Sequence, residues 1–108
     1  MDESRYQKLA DSALGTIEQM LDDVDAEVVD IERAGDVLTL TFASGKKCVI
    51  NTQRPTRQIW LAANARAWHF SFEESSGRWL DDKGQGVELV GHVAALVKEL
   101  AGVDVDPG

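Results

Sequence analysis

Apolar residues recur at helical spacing through the first two dozen positions, at Tyr6, Leu9, Ala10, Ala13, Ile17, Met20, Leu21 and Val24. The spacing predicts an amphipathic helix over about residues 4–23, with one face turned to a core. Ser4 followed by Gln7 has the spacing of a capping box and sets the expected start. From Glu27 the period drops to two. Val29 and Ile31 alternate with Asp30 and Glu32, and beyond the Ala34-Gly35-Asp36 turn Leu38, Leu40 and Phe42 alternate with Thr39 and Thr41. That is the pattern of a hairpin buried on one side. Ser44-Gly45 marks the next turn, and residues 46–51 predict a third strand with Cys48 and Ile50 on one face and Lys47, Val49 and Asn51 on the other. Pro55 closes its loop. Residues 57–62, 68–73 and 78–81 predict three more short strands, divided by Asn64-Ala65-Arg66 and Ser75-Ser76-Gly77. After Lys83-Gly84-Gln85-Gly86 the helical period returns: Val87, Val90, Val93, Ala94, Val97 and Leu100 form one face of a second helix that ends near Ala101-Gly102, with a frayed tail beyond.

These elements predict a single α+β domain over residues 1–108. Its expected form is a two-layer sandwich, with N-terminal and C-terminal helices packed on one face of a meandering antiparallel sheet, because only that face carries the apolar set. The length suffices for one core and not for two. No apolar run approaches membrane-spanning length and no basic flank precedes one, so a cytoplasmic location without a membrane partner is expected. Cys48 stands alone in a strand-like run, outside any CxxC, and is expected as a small core residue.

Charge changes this picture more than composition does. The first 32 residues hold ten acids against Arg5 and Lys8, while the other 76 balance nine acids with nine bases, so the whole net charge of −8 sits in the opening third. A surplus of that sign argues against nucleic acid as a partner and favours cations or basic protein surfaces. At roughly 100° per residue, Asp11, Glu18, Asp22 and Asp25 project within about 60° of one another, beside the apolar face of the first helix. Asp22, Asp23 and Asp25 lie at its carbonyl end, where the macrodipole favours cations, and Glu18 repels Asp22 at i,i+4; each effect costs a few tenths of a kcal/mol. Asp30 and Glu32 extend the ridge if the first strand is the sheet edge beside that helix, and they also discourage edge pairing. A solvated helix face is the plain alternative, but local rules broken without visible compensation point to function. Carboxylates without His or Cys suit hard cations such as ferrous or ferric iron, Mn²⁺, Ca²⁺ or Mg²⁺, bound weakly and with poor selectivity, and not a tetrahedral zinc cage.

A second candidate lies on the sheet. If Ile59 and Leu61 face the helices, Gln58, Trp60 and Ala62 face water, together with Val49, Asn51 and His69 from neighbouring strands. A tryptophan among amides and a histidine is a credible protein-binding hot spot. Trp68, Phe70 and Phe72 alternate the other way and are expected in the core, while Trp79 and Leu80 compete for the inward position. His69 and His92 have no nucleophile or carboxylate at motif spacing, and there is no Gly-rich phosphate loop, so nothing indicates catalysis.

The run Asn51-Thr52-Gln53-Arg54-Pro55-Thr56-Arg57-Gln58-Ile59-Trp60-Leu61-Ala62 resembles the N-x-Q-x-P-x-x-Q-I-W-L-[AS] signature of the frataxin family, in its bacterial CyaY branch. Leu9-Ala10-Asp11, Thr16-Ile17-Glu18 with Leu21-Asp22-Asp23-Val24-Asp25, Asp36-Val37-Leu38-Thr39-Leu40-Thr41-Phe42 and Trp68-His69-Phe70 extend the likeness over nearly the whole chain. The resemblance implies a non-enzymatic, iron-binding accessory protein of iron–sulfur cluster assembly that docks on the cysteine desulfurase and modulates it. Carried over by position, iron lies along Glu18, Asp22, Asp23 and Asp25 with Asp30 and Glu32, and the partner meets Asn51, Gln53, Gln58 and Trp60. Gln19 stands where relatives often place a further acid. A monomer is expected. The alternative the family suggests is ferroxidase or iron-storage activity on the ridge, within oligomers formed on iron.

Overall fold

A computed structural model describes all residues, 1–108. Helix α1 (Glu3–Met20) is followed by six strands, β1 (Val29–Ala34), β2 (Val37–Phe42), β3 (Lys47–Gln53), β4 (Gln58–Ala63), β5 (Arg66–Glu73) and β6 (Arg78–Asp81), and then by α2 (Leu89–Ala101). The strands form one antiparallel sheet in chain order, β1 to β6, so the meander is as expected. Alternation places Leu38, Leu40, Phe42, Cys48, Ile50, Ile59, Leu61, Ala63, Phe70 and Trp79 on the covered face. They pack with Tyr6, Ala10, Leu14, Ile17 and Leu21 of the α1 region and Leu89, Val93, Leu96 and Val97 of α2 in one core. Both helices lie on that face, as a sheet with a single apolar side requires.

The α1 boundaries differ from the expected ones. Asp2, with extended backbone, caps the helix by accepting from Arg5 N at 2.8 Å, so Ser4 lies inside the first turn. The carboxylate wins the cap because it is the stronger acceptor at the positive end of the macrodipole. The helix ends at Met20, and Asp22 and Asp23 sit in the turn beyond it. There the Asp25 carboxylate accepts from Glu27 N at 2.9 Å, which favours a local turn over continued helix.

Helix α2 is also rotated from the expected face. Leu89, Val93, Leu96 and Val97 are its buried residues, while Val90, Ala94 and Leu100 are half-buried, because α2 packs against α1 as well as the sheet. Its tail is not frayed: Val103 and Val105 pack against the core, and Lys98 pairs with Asp104 at 3.1 Å. In β5 only Phe70 is fully buried, Trp68 and Phe72 being half-buried, and Trp79 takes the inward position over Leu80. Trp79 lies edge-on to Tyr6 and Phe72 at 6.1 and 5.4 Å between centroids.

One buried hydroxyl ties α1 to the strand connection that carries the signature. Tyr6 Oη donates to the Gln58 carbonyl at 2.6 Å and accepts from Gln53 N at 2.9 Å, bracketing the short 3-10 turn Arg54–Thr56. Burial raises the phenol's pKa, so the hydroxyl stays a donor. Arg57, which closes this turn, takes a left-handed conformation.

Two local features generate predictions. The β4–β5 hairpin turns through Asn64 and Ala65, both with positive φ (53° and 60°). A two-residue turn of this type suits glycine at the second position, and alanine there carries roughly 1–2 kcal/mol of strain. Ala65→Gly is therefore expected to stabilise the fold by about 0.5–1 kcal/mol, after glycine's entropic cost, and to raise Tm by a few degrees. An unchanged or lowered Tm would contradict it. His92 packs against Trp68 at 4.2 Å with its Nε2 buried and unpartnered, while Arg66 lies over the Trp68 ring at 4.9 Å. Burial, reinforced by Arg66 and opposed by Glu99, holds the imidazole pKa below the ordinary histidine value. The unfolded chain therefore takes up this proton first, so stability is full above a pH of about 6.5 and is lost as pH falls through the folded pKa. Between about pH 7 and pH 5 the Tm of the wild type should fall further than that of His92→Gln. Parallel curves would refute this.

Candidate functional site

The acidic positions divide into two sets. Asp11 and Glu18 stand two turns apart on α1, and the guanidinium of Arg33 spans them, with Nη2 at 3.1 Å from Asp11 Oδ1 and Nη1 at 2.8 Å from Glu18 Oε1. Arg33 has the parity of Val29 and Ile31, the side of β1 turned toward the helices, which is why it reaches α1. The acid-rich opening of the chain thus ends at its own counter-ion. Asp22, Asp23, Asp25, Asp30 and Glu32 are exposed and form no ion pair. Asp25 is partly occupied by its turn, its side chain accepting from Glu27 N and its carbonyl from Val28 N and Val29 N.

Because α1 ends at Met20, the stripe expected on one helix holds only for Asp11 and Glu18, and the remaining acids come from the turn and the edge strand. Glu18, Asp22 and Asp30 surround a surface hollow of about 320 Å³ with Leu21, Val29 and Ile31 in its wall. Asp23 and Asp25 line a second hollow, of about 560 Å³, with Asp104 and Asp106 of the tail. Nothing in the sequence pattern docks the tail, so only the structure brings its acids here. No three His, Cys, Asp or Glu side chains converge into a metal-holding group. The arrangement can therefore attract hydrated cations and basic surfaces through its field and through single carboxylates, not by encapsulation.

On the open sheet face, Asn51, Trp60 and His69 stand opposite one another across β3, β4 and β5. Trp60 is half-buried rather than open to water, since its ring stacks on His69 at 4.3 Å and 17°. Its Nε1 donates to Gln58 Oε1 at 3.0 Å, and Gln58 Nε2 in turn donates to Ser71 Oγ at 3.1 Å and Asp82 Oδ2 at 3.2 Å. Asp82 Oδ2 also lies 3.5 Å from His69 Nδ1, which closes a circuit through Trp60, Gln58, Asp82 and His69. The network holds one rotamer of Trp60 and presents its remaining edge in a fixed direction. Asn51 Nδ2 donates to the neighbouring Thr52 carbonyl, and Gln53 is half-buried on the same face. Asp82, beyond the last strand, had no signal in the sequence.

Other titratable groups serve the fold. Burial pushes the Cys48 thiol up to about 12, which leaves it an inert core residue. Burial also raises the Asp81 carboxyl, but the backbone N–H groups of Val87, Gln85 and Lys83 outweigh it and hold the group below the usual carboxylate range. Asp81 thereby shapes the loop that brings Asp82 beside Gln58.

Comparison with known proteins adds to the geometry. Residues 1–103 match the model of the Frataxin-like domain. The chain is 39% identical over 107 residues to the iron-sulfur cluster assembly protein CyaY of Pseudomonas fluorescens (strain SBW25), covering 98% of this chain and 94% of that one. It is similar to the structure of frataxin from Psychromonas ingrahamii, of the CyaY protein family, with a TM-score of 0.90 and 31% identity over 100% of this chain and 99% of the other. Trimeric yeast frataxin from Saccharomyces cerevisiae, complexed with ferrous, shares the fold at a TM-score of 0.69 and 24% identity, over 95% of this chain and 88% of that one.

Proposed function

The chain belongs to the frataxin family, in its bacterial CyaY branch, and from that premise we propose that it binds iron weakly on its acidic ridge and docks on the cysteine desulfurase of iron–sulfur cluster assembly. The role in iron–sulfur cluster assembly follows from the family's named relatives. The observation that supports the finer statement is the unpaired charge. Asp22 and Asp30 share a hollow where the end of α1 meets the edge strand, Asp23 lines the neighbouring hollow and Glu32 stands further along β1, and none of the four is in an ion pair. Iron is cargo in this account. Oxygen ligands on an open surface suit ferrous or ferric iron bound with most of its water retained, and other divalent cations compete.

The same field steers a basic groove of the partner toward the ridge, while Trp60 adds directed apolar contact flanked by Asn51, Gln53 and Gln58. Rigid aromatic anchors lose little entropy on binding, and the stack on His69 has already fixed this one. The chemistry belongs to the partner. The ridge lacks the enclosed cage of carboxylates and histidines in which a di-iron oxidase activates oxygen, so the accessory role is favoured over ferroxidase activity. No helix is long and apolar enough to cross a membrane.

Pull-down and turnover of the desulfurase with three proteins test the proposal. Relative to wild type, Trp60→Arg should weaken binding by roughly tenfold or more and leave iron uptake intact. A ridge variant with Asp22→Asn and Asp23→Asn should lose iron uptake and also bind the enzyme more weakly, with a shallower salt dependence. A desulfurase indifferent to both variants would refute the docking account.

A further inference from the structure

We propose that Arg33 is a built-in counter-cation that closes the Asp11 half of the ridge to metal ions and confines them to the hollow formed by Glu18, Asp22 and Asp30; this rests on the ridge being a cation site. The Arg33 side chain is less exposed, at 27%, than those of the acids it joins, at 51% for Asp11 and 37% for Glu18. Two charge-assisted hydrogen bonds from one planar group to acids two helical turns apart make a geometry that a single-point cation such as Lys cannot reproduce. Asp11 is further occupied, since the same Oδ1 accepts from Gln7 Nε2 at 3.3 Å. A metal ion approaching Asp11 therefore shares the carboxylate with two donors on Oδ1 and meets a neighbouring positive charge.

Glu18 belongs to both regions. Its Oε1 is held by Arg33, and its side chain also lines the hollow with Asp22 and Asp30. An ion in the hollow and the guanidinium compete for the same carboxylate, so the two are coupled: the ion loosens the Arg33 bridge, and the bridge weakens the ion by the same factor. Arg33 therefore sets both how many cations the ridge holds and how readily it gives them up. The alternative is that Arg33 only pins the edge strand to α1. That role changes stability and leaves metal binding where it is.

Mn²⁺ alone, titrated at low ionic strength into wild type, Arg33→Gln and Arg33→Lys, separates these cases by equilibrium dialysis and by paramagnetic broadening of amide resonances. In the wild type, broadening should centre on Glu18, Asp22 and Asp30 and spare the surroundings of Asp11. Arg33→Gln should bind Mn²⁺ roughly three- to tenfold more tightly, the effect of removing one charge a few ångström from a divalent ion, and broadening should extend to Asp11. Arg33→Lys keeps the charge without the two-pronged bridge and should fall between them, which also serves if Arg33→Gln does not fold. Equal affinity and an unchanged broadening map in both variants would overturn the role of Arg33 and leave the ridge intact. The absence of broadening at the ridge in all three proteins would overturn the ridge itself.

Discussion

The arrangement of this molecule depends on one constraint: its six-stranded antiparallel sheet is buried on a single side. Because side chains alternate along each strand, a residue's parity decides whether it meets the helices or the open face, and a slip of one position would turn that strand's whole apolar set outward. Parity points Arg33 at α1 and leaves Asp30 and Glu32 outward. It also sets Asn51, Trp60 and His69 in line across three strands while Ile59, Leu61 and Phe70 close the core behind them. The two surfaces on which the proposed function rests are therefore by-products of the pattern that builds the core.

The ridge and the sheet face differ in how they are held. On the sheet, stacking on His69 and the hydrogen bond to Gln58 hold Trp60 in place. On the ridge, most carboxylates point into water without partners, at the end of a helix whose last turn carries no base. Such groups repel one another and the helix carbonyls, and folding gains nothing from them. A site built this way is open, weakly selective and responsive to ionic conditions. Those properties suit the carrying or sensing of a cation that we propose.

Much of this was legible in the sequence because period and charge are local signals. The change from helical spacing to alternation at Glu27, and back after Gly86, marked out both helices and the six strands between them, though not the 3-10 turn Arg54–Thr56, and the resemblance carried by residues 51–62 singled out Trp60. What escaped depended on tertiary contacts. Ser4 and Asp2 both offer a capping oxygen, and only the folded helix start decides between them. Leu89 and Leu96 become the buried face of α2 because α1 lies beside it. Val103 and Val105 dock with no periodic cue and bring Asp104 and Asp106 toward Asp23 and Asp25. Arg33 is the instructive case: it shares the parity of Val29 and Ile31, but only the packing of β1 against α1 brings it to Asp11 and Glu18.

The central claim is that the fold carries uncompensated negative charge on the ridge, which cations relieve. The thermal midpoint of the metal-free protein, measured against NaCl and separately against CaCl₂ at matched ionic strength, examines it directly. Tm should rise with NaCl and rise further with Ca²⁺ at the same ionic strength, because a divalent ion relieves crowding among carboxylates more than screening alone does. A Tm indifferent to both salts would mean that the ridge carries no strain for a cation to remove.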